Sequence, residues 1–318
     1  MSKKLISQIA LFFSLLFLSH CSNYETSNNS DSVHEMQQFV SNIAHYTRQS
    51  NPNFIVIPQN GAELAFTDAD SELGFYDDYL TNIDGFGIEE LYYNGTFSPD
   101  FERISMLKEL SKTKKVLVSE YINSNSLLNE ARQANSDEGF VSFIRTPLNY
   151  DYKEIPSTIQ EENSNDITQL SDVKNYLYLI STENYSSKEA FISAISETNY
   201  DLILIDLFFD SEIFSSQEIN QLKTKKNGGK RLAICYVSIG SAEKYRYYWD
   251  SSWKLKQPNW LAKPYEGYPD EFWVNYWDKD WQAIIFGNDS SYFKKILSAG
   301  FDGAYLDNVE AYYFLYHD

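Results

Sequence analysis

The stretch Ser298-Ala-Gly-Phe-Asp-Gly-Ala-Tyr-Leu-Asp-Asn-Val-Glu-Ala-Tyr-Tyr-Phe314 decides the fold. A helical pattern ends at Gly300. The apolar run Ala304-Tyr-Leu306 then stops abruptly at Asp307, Asn308 and, two residues on, Glu310. An unbroken apolar run reads as a strand buried on both faces, as in a parallel sheet. Polar and acidic groups gathered at such a strand's C-terminal end sit where a (β/α) barrel builds its active site.

The same rhythm recurs upstream. Strands are expected at Phe54–Ile57, Ile83–Glu89, Val116–Tyr121, Phe140–Ile144, Tyr176–Ile180, Leu202–Asp206, Leu232–Ile239, Trp273–Trp277 and Ala304–Asp307. Helical patterns lie between them at Phe101–Leu110, Leu127–Ala134, Lys188–Glu197, Ser216–Lys225 and Trp281–Ala299. A further helix is expected to open at Ser32, where Ser32 and Glu35 form a capping-box pattern ahead of Met36, Phe39, Val40 and Ile43 on one face. Alternating strands and helices predict a parallel sheet covered on both faces. The reading is a single (β/α)8 TIM barrel, with an open doubly wound α/β sheet as the alternative. No Gly-x-Gly-x-x-Gly follows a strand, which lowers the alternative. One strand candidate is surplus to eight, and Phe140–Ile144 or Tyr176–Ile180 is the expected extra. The polar stretch Asn149 to Asp172 is longer than most loops and reads as functional or as a linker. A helix-first, strand-last order suggests a circularly rotated barrel.

The N-terminus reads as an export signal at residues 1–20. Lys3-Lys4 precede an apolar run from Leu5 to Leu18, too short to span a bilayer comfortably. Leu18-Ser19-His20-Cys21 resembles a bacterial lipobox, with His20 where a small residue is usual, so Cys21 is the expected lipidation site. Residues 21–31 then form a polar tether, and 32–318 the barrel domain. This predicts an exported protein, membrane-anchored through lipid alone on the cell surface or in the periplasm, and otherwise secreted; a monomer is expected. Cys235, inside Leu232-Ala-Ile-Cys-Tyr-Val237, reads as a small buried hydrophobe, so there is no disulfide framework. Four scattered His and no Cys/His cluster argue against zinc, and no metal or cofactor is expected. The net charge of −19 disfavours nucleic acid and suits a cationic substrate, or simply solubility.

Carboxylates crowd the expected strand ends: Glu63, Asp84, Glu89, Glu120, Asp206, Asp210, Glu243, Asp278, Asp307 and Glu310. Aromatics accompany them, most densely in Tyr245-Arg-Tyr-Tyr-Trp249, read as surface or site, whereas Trp281 reads as core. Sugars present apolar C–H faces to aromatic rings and hydroxyls to carboxylates, so this mixture suits a glycan site. Glycosidic cleavage needs two carboxyls, one protonated and one ionised.

Three segments carry a family resemblance: Cys235-Tyr-Val-Ser-Ile-Gly-Ser-Ala-Glu-Lys-Tyr-Arg-Tyr-Tyr-Trp249, Tyr276-Trp-Asp278 and Gly300-Phe-Asp-Gly-Ala-Tyr-Leu-Asp-Asn-Val-Glu-Ala-Tyr312. Together they resemble glycoside hydrolase family 114, whose members are TIM barrels and include endo-α-1,4-polygalactosaminidases. Asn53-Phe-Ile-Val-Ile-Pro-Gln-Asn-Gly61 and Ile83-Asp-Gly-Phe-Gly-Ile-Glu-Glu-Leu-Tyr-Tyr93 fit as well, but they precede the Tyr-Leu-Asp segment instead of following it, which implies circular permutation. The resemblance implies Asp307 as nucleophile and Glu89 as acid/base in a retaining mechanism. It implies a substrate shell of Asp206, Glu243, Tyr236, Arg246, Asn60, Asp278 and Asn308. Of the neighbours Glu89 and Glu90, only one is expected to face the site, because successive strand residues alternate. The implied substrate is an amino-sugar polysaccharide, such as a cationic galactosamine polymer. The alternatives are a non-catalytic glycan-binding lipoprotein and, more weakly, a polysaccharide deacetylase, whose His pair is not evident.

Overall fold

The computed structural model describes residues 26–316. The signal segment and Cys21 lie outside the described residues. The fold is mixed α/β, built on parallel sheets. Eight parallel strands follow in chain order: β1 (Ile55–Pro58), β2 (Gly85–Phe97), β3 (Lys115–Ile122), β4 (Val141–Arg145), β5 (Tyr176–Tyr178), β6 (Leu202–Asp206), β7 (Leu232–Ser238) and β8 (Gly303–Asp307).

They form two sheets. One has the order β1-β8-β7-β6-β5, with Ile57 opposite Tyr305, Asp307 opposite Ser238 and Asp206 opposite Tyr236. The other is β2-β3-β4. A parallel bridge between Gln59 and Gly87 links β1 to β2, reinforced by Asn60 N–H donating to the Gly87 carbonyl at 2.7 Å. Gly87 is needed there: a Cβ at this position would sit 1.9 Å from the Tyr305 hydroxyl oxygen of β8.

Both Phe140–Ile144 and Tyr176–Ile180, expected to include the surplus strand, pair in the parallel sheets as β4 and β5. The surplus strand is instead Trp273–Trp277. Trp273 and Val274 end the strand Tyr268–Val274, which runs antiparallel between Ser241–Glu243 and Leu261–Tyr265. The chain leaving β7 supplies Ser241–Glu243, and these three short strands make a flap beside the parallel sheets. Trp281–Ala299 is two helices, Lys279–Ile285 and Tyr292–Ala299, interrupted around Gly287, whose φ of 99° lies outside the helical range. The first helix runs Thr26–Ser50 and so includes part of the expected tether. Ser32 does not cap it: the Ser32 hydroxyl donates to the Tyr312 carbonyl at 3.2 Å, a tertiary contact that replaces the capping box.

Met36, Phe39, Val40 and Ile43 are fully buried, as the helical period requires. Every residue of β7 is buried, Cys235 included, and Trp281 is buried with its indole N–H on the Ile239 carbonyl at 2.8 Å. The long loop is stapled from beneath by Lys225, whose buried ammonium meets Asp201 at 2.6 Å and the Asn165 carbonyl at 2.9 Å.

Candidate active site

Because the eight strands are parallel, their C-terminal ends share one edge. That edge opens into a cleft of about 600 Å³. Seven carboxyl side chains line it (Glu89, Glu90, Asp151, Glu243, Glu271, Asp307 and Glu310) against two guanidiniums, Arg103 and Arg145. Both guanidiniums are already paired, Arg103 with Asp100 at 3.0 Å and Arg145 with Glu90 at 2.8 Å. The cleft therefore presents a surplus of acid.

Asp307 closes β8. Its Oδ2 accepts a short hydrogen bond from the Tyr236 hydroxyl, and its Oδ1 accepts the Asn308 N–H at 2.8 Å. Burial, and then the charge of Glu89, push its pKa up to about 7, with the Tyr236 bond opposing. Asn308 holds a left-handed backbone, φ 60°, and its amide donates to Ser238, Ser241 and Glu271.

Glu89 leaves β2 where the strand breaks register with β3, between residues 89 and 94. Its Oε2 accepts from Gln59 Nε2 at 2.8 Å and its Oε1 from the Tyr152 hydroxyl. Gln59 is in turn fixed by the Tyr178 hydroxyl at 3.1 Å, and Tyr152 by Ser119 at 3.0 Å. The bulge is tied from both sides. Fully buried Glu120 accepts the N–H groups of Tyr92 and Tyr93, and Arg103 donates to the carbonyl of Glu89 at 3.2 Å. This turns Glu90 as well. At φ 54° it is left-handed, so Glu89 and Glu90 both face the cleft, contrary to the expected alternation.

Asn60, also left-handed at φ 58°, links β1 to two acids. It accepts the Glu89 N–H at 3.1 Å and donates to Glu310 at 3.0 Å. Burial raises Glu310 to about 8, and burial with the nearby Glu243 raises Glu271 to about 7. Desolvated acids clustered in a cleft are the pattern of functional sites.

Of the shell expected from sequence, Asn60, Tyr236, Glu243 and Asn308 line the cleft with Asp307 and Glu89. Asp206 and Arg246 do not; they pair with each other at 2.7 Å, and Arg246 also binds Glu243. Asp278 is a correction: its side chain caps helix Lys279–Ile285 by accepting the Asp280 N–H at 2.8 Å, so it is absent from the cleft lining. Two strand-end acids are structural too. Asp84 accepts the Val56 N–H at 2.7 Å and pairs with Arg48, and Glu120 holds the bulge. Glu271, Gln59, Tyr152 and Arg145 also line the cleft, and no strand-end acid pattern picks them out. Glu271 sits on the antiparallel flap, and Gln59 and Tyr152 act as donors to an acid, a role no strand-end pattern marks. Among the described residues no group of three or more His, Cys, Asp or Glu is placed to hold a metal ion, and no helix is long and apolar enough to cross a membrane.

The strand-end edge of this parallel α/β scaffold thus brings the Asp307 and Glu89 carboxyls into one cleft. Residues 165–318 match the model of glycoside-hydrolase family GH114, and in this part the chain is similar to that family. The match begins inside the long loop and spans β5 to β8. Its relatives include the uncharacterized protein MJ1477 of Methanocaldococcus jannaschii, 35% identical over 176 residues, covering 54% of this chain and 48% of that one. An uncharacterized protein of Thermotoga maritima is 31% identical over 118 residues, 37% of this chain and 35% of its own. One of Deinococcus radiodurans is 33% identical over 121 residues, 38% and 37% respectively. The chain thus spans about half the length of the first of these and about a third of the other two.

Proposed function

We propose that this chain is a glycoside hydrolase acting on an amino-sugar polysaccharide, similar to an endo-α-1,4-polygalactosaminidase, with Asp307 and Glu89 as its carboxyl pair. The observation that carries this is the cleft's imbalance of seven acids over two already-paired arginines, with Asp307 held near 7 beside Glu89. A polymer bearing free ammonium groups relieves that repulsion as it binds. A cation near Asp307 also lowers its pKa, so the cationic substrate ionises the carboxylate that is to attack. In a retaining reaction Asp307 attacks the anomeric carbon while Glu89 gives its proton to the departing glycosidic oxygen. Water then attacks the glycosyl-Asp307 ester, passing its proton to Glu89, and both carboxyls return to their starting states.

The two sheets are read as arcs of one (β/α)8 barrel, joined at the Gln59–Gly87 bridge. The family match covers β5 to β8, and the Gln59-Asn60 motif after β1 and Glu89 on β2 lie ahead of it in the chain, which supports a circularly permuted order. Export and lipid anchoring at Cys21 complete the proposal, placing a monomeric enzyme on exposed glycan.

Glu89→Gln separates an enzyme from a glycan-binding module. Reducing-end release from galactosamine polymer should fall by at least about 10²-fold, the lower range for lost acid–base assistance, while polymer binding by calorimetry persists. Unchanged release, or binding by a wild type that releases nothing, would refute the catalytic reading.

A further inference from the structure

Beside the cleft, on the same edge, lies a second cavity of about 300 Å³. It is walled by the segments that follow β5, β6 and β7. Ile180 and Tyr245 line both spaces, so the two adjoin at the Tyr245 ring.

That ring is 69% exposed yet held in place. Its hydroxyl donates to Glu243, and the Arg246 guanidinium lies 5.1 Å from its centroid. Tyr247 supplies a second aromatic wall. It is 42% exposed, packs on Phe208 at 5.7 Å between centroids, and donates its hydroxyl to the Ser290 carbonyl at 3.0 Å. The floor is ionic, and its acids already have a basic partner: buried Arg246 lies between Asp206 and Glu243. Asp210, by contrast, has no salt bridge to a basic side chain among the described residues. It adopts a left-handed backbone, φ 54°, and the Thr182 hydroxyl fixes its Oδ1 at 2.7 Å. A left-handed non-glycine residue is a conformational cost that persists where surroundings impose it, and such residues concentrate at binding sites.

We propose that this cavity is a further sugar subsite, in which Asp210 receives the ammonium group of a unit of the same polymer whose scissile bond lies in the cleft. The inference rests on the glycosidase reading above and adds to it a binding position for the chain. Tyr245 and Tyr247 offer faces for the ring's C–H groups, and Asp210 supplies the anion. The consequence is a preference for longer chains, since short ones fill the cleft without reaching the cavity.

The test uses Asp210→Asn, because Asn tolerates a left-handed backbone and keeps an oxygen for Thr182. Galactosamine oligomers of increasing length are given to wild type and variant. The wild-type rise in kcat/KM with length should shrink about tenfold in the variant, as loss of one charge-assisted hydrogen bond implies. Binding is measured in parallel on Glu89→Gln with and without Asp210→Asn, and the double variant should bind the long polymer about tenfold more weakly. Cleavage and binding with unchanged length dependence would overturn the subsite and leave the enzyme reading intact. Failure of wild type and Glu89→Gln to act on or bind any oligomer would overturn both.

Discussion

Replacing Asp307 with Asn should abolish activity and yet stabilise the fold at alkaline pH. The Asp307 carboxyl is raised from 3.8 to about 7, chiefly by burial and then by Glu89. A group that holds its proton more tightly when folded adds stability at low pH, and that stability is lost as pH rises from the unfolded value, near 4, through the folded value, near 7. Raising this carboxyl from 3.8 to about 7 is worth roughly 4 kcal/mol as an upper bound. Above pH 7 wild type has lost all of it, because a desolvated anion sits beside Glu89. Asn carries no charge, keeps an oxygen for the Asn308 N–H, and exchanges the Tyr236 bond for a weaker one, which takes back about 1–2 kcal/mol. The net gain is about 2 kcal/mol at pH 8, or roughly 4 °C in Tm for a chain of this size. At pH 4 the wild-type carboxyl is protonated and the gain should be gone, leaving the Asn protein about 1–2 kcal/mol less stable than wild type. Thermal melts of both proteins from pH 4 to pH 8 read this directly. An Asp307→Asn protein less stable than wild type at pH 8, or a difference that does not change with pH, would refute the reasoning.

Other consequences follow from the same geometry. The rising limb of kcat/KM should lie near pH 7, where Asp307 ionises in the free enzyme, and that of kcat should lie lower, because a bound cationic sugar favours the anion; coincident limbs would argue against a cationic substrate. Glu120→Ala leaves the Tyr92 and Tyr93 N–H groups without their acceptor, so it should cost roughly 3 kcal/mol in denaturant unfolding and reduce kcat by freeing the bulge that carries Glu89. Lys225→Met strands the buried Asp201 charge and should destabilise by about 3–5 kcal/mol, seen as a lower urea midpoint. Gly87→Ala forces a methyl into the Tyr305 hydroxyl and should cost about 1–3 kcal/mol or more, with loss of activity as β8 shifts.

The parallel strands were legible because apolar runs such as Leu202-Ile-Leu-Ile205 and Ala304-Tyr-Leu306 are buried on both faces and carry no competing pattern. Trp273–Trp277 misled for the same reason: aromatics favour any strand, and nothing in their composition distinguishes a parallel strand from an antiparallel flap. Asp307 could be picked out because it ends such a run. Asp278 resembled it in sequence but caps the next helix, a use that an Asp ahead of a helical pattern serves equally well. Glu90 reached the cleft through a left-handed residue inside a bulge, and no periodicity rule foresees a break in periodicity. Glu271 and Tyr152 enter the site from the flap and the long loop, whose positions depend on contacts distant in sequence, such as the Tyr265 hydroxyl on Asn308 at 3.2 Å and Lys225 beneath residues 163–165.

Reducing-end release from partly deacetylated α-1,4-galactosaminogalactan reads out the proposed joint action of Asp307 and Glu89 on a galactosamine polymer. The protein beginning at Ser22 should release new ends, and Asp307→Asn and Glu89→Gln should each reduce the rate by at least about 10²-fold while remaining folded. Release that survives either substitution would contradict the pair, and no release from wild type on a polymer that it binds would contradict the enzyme.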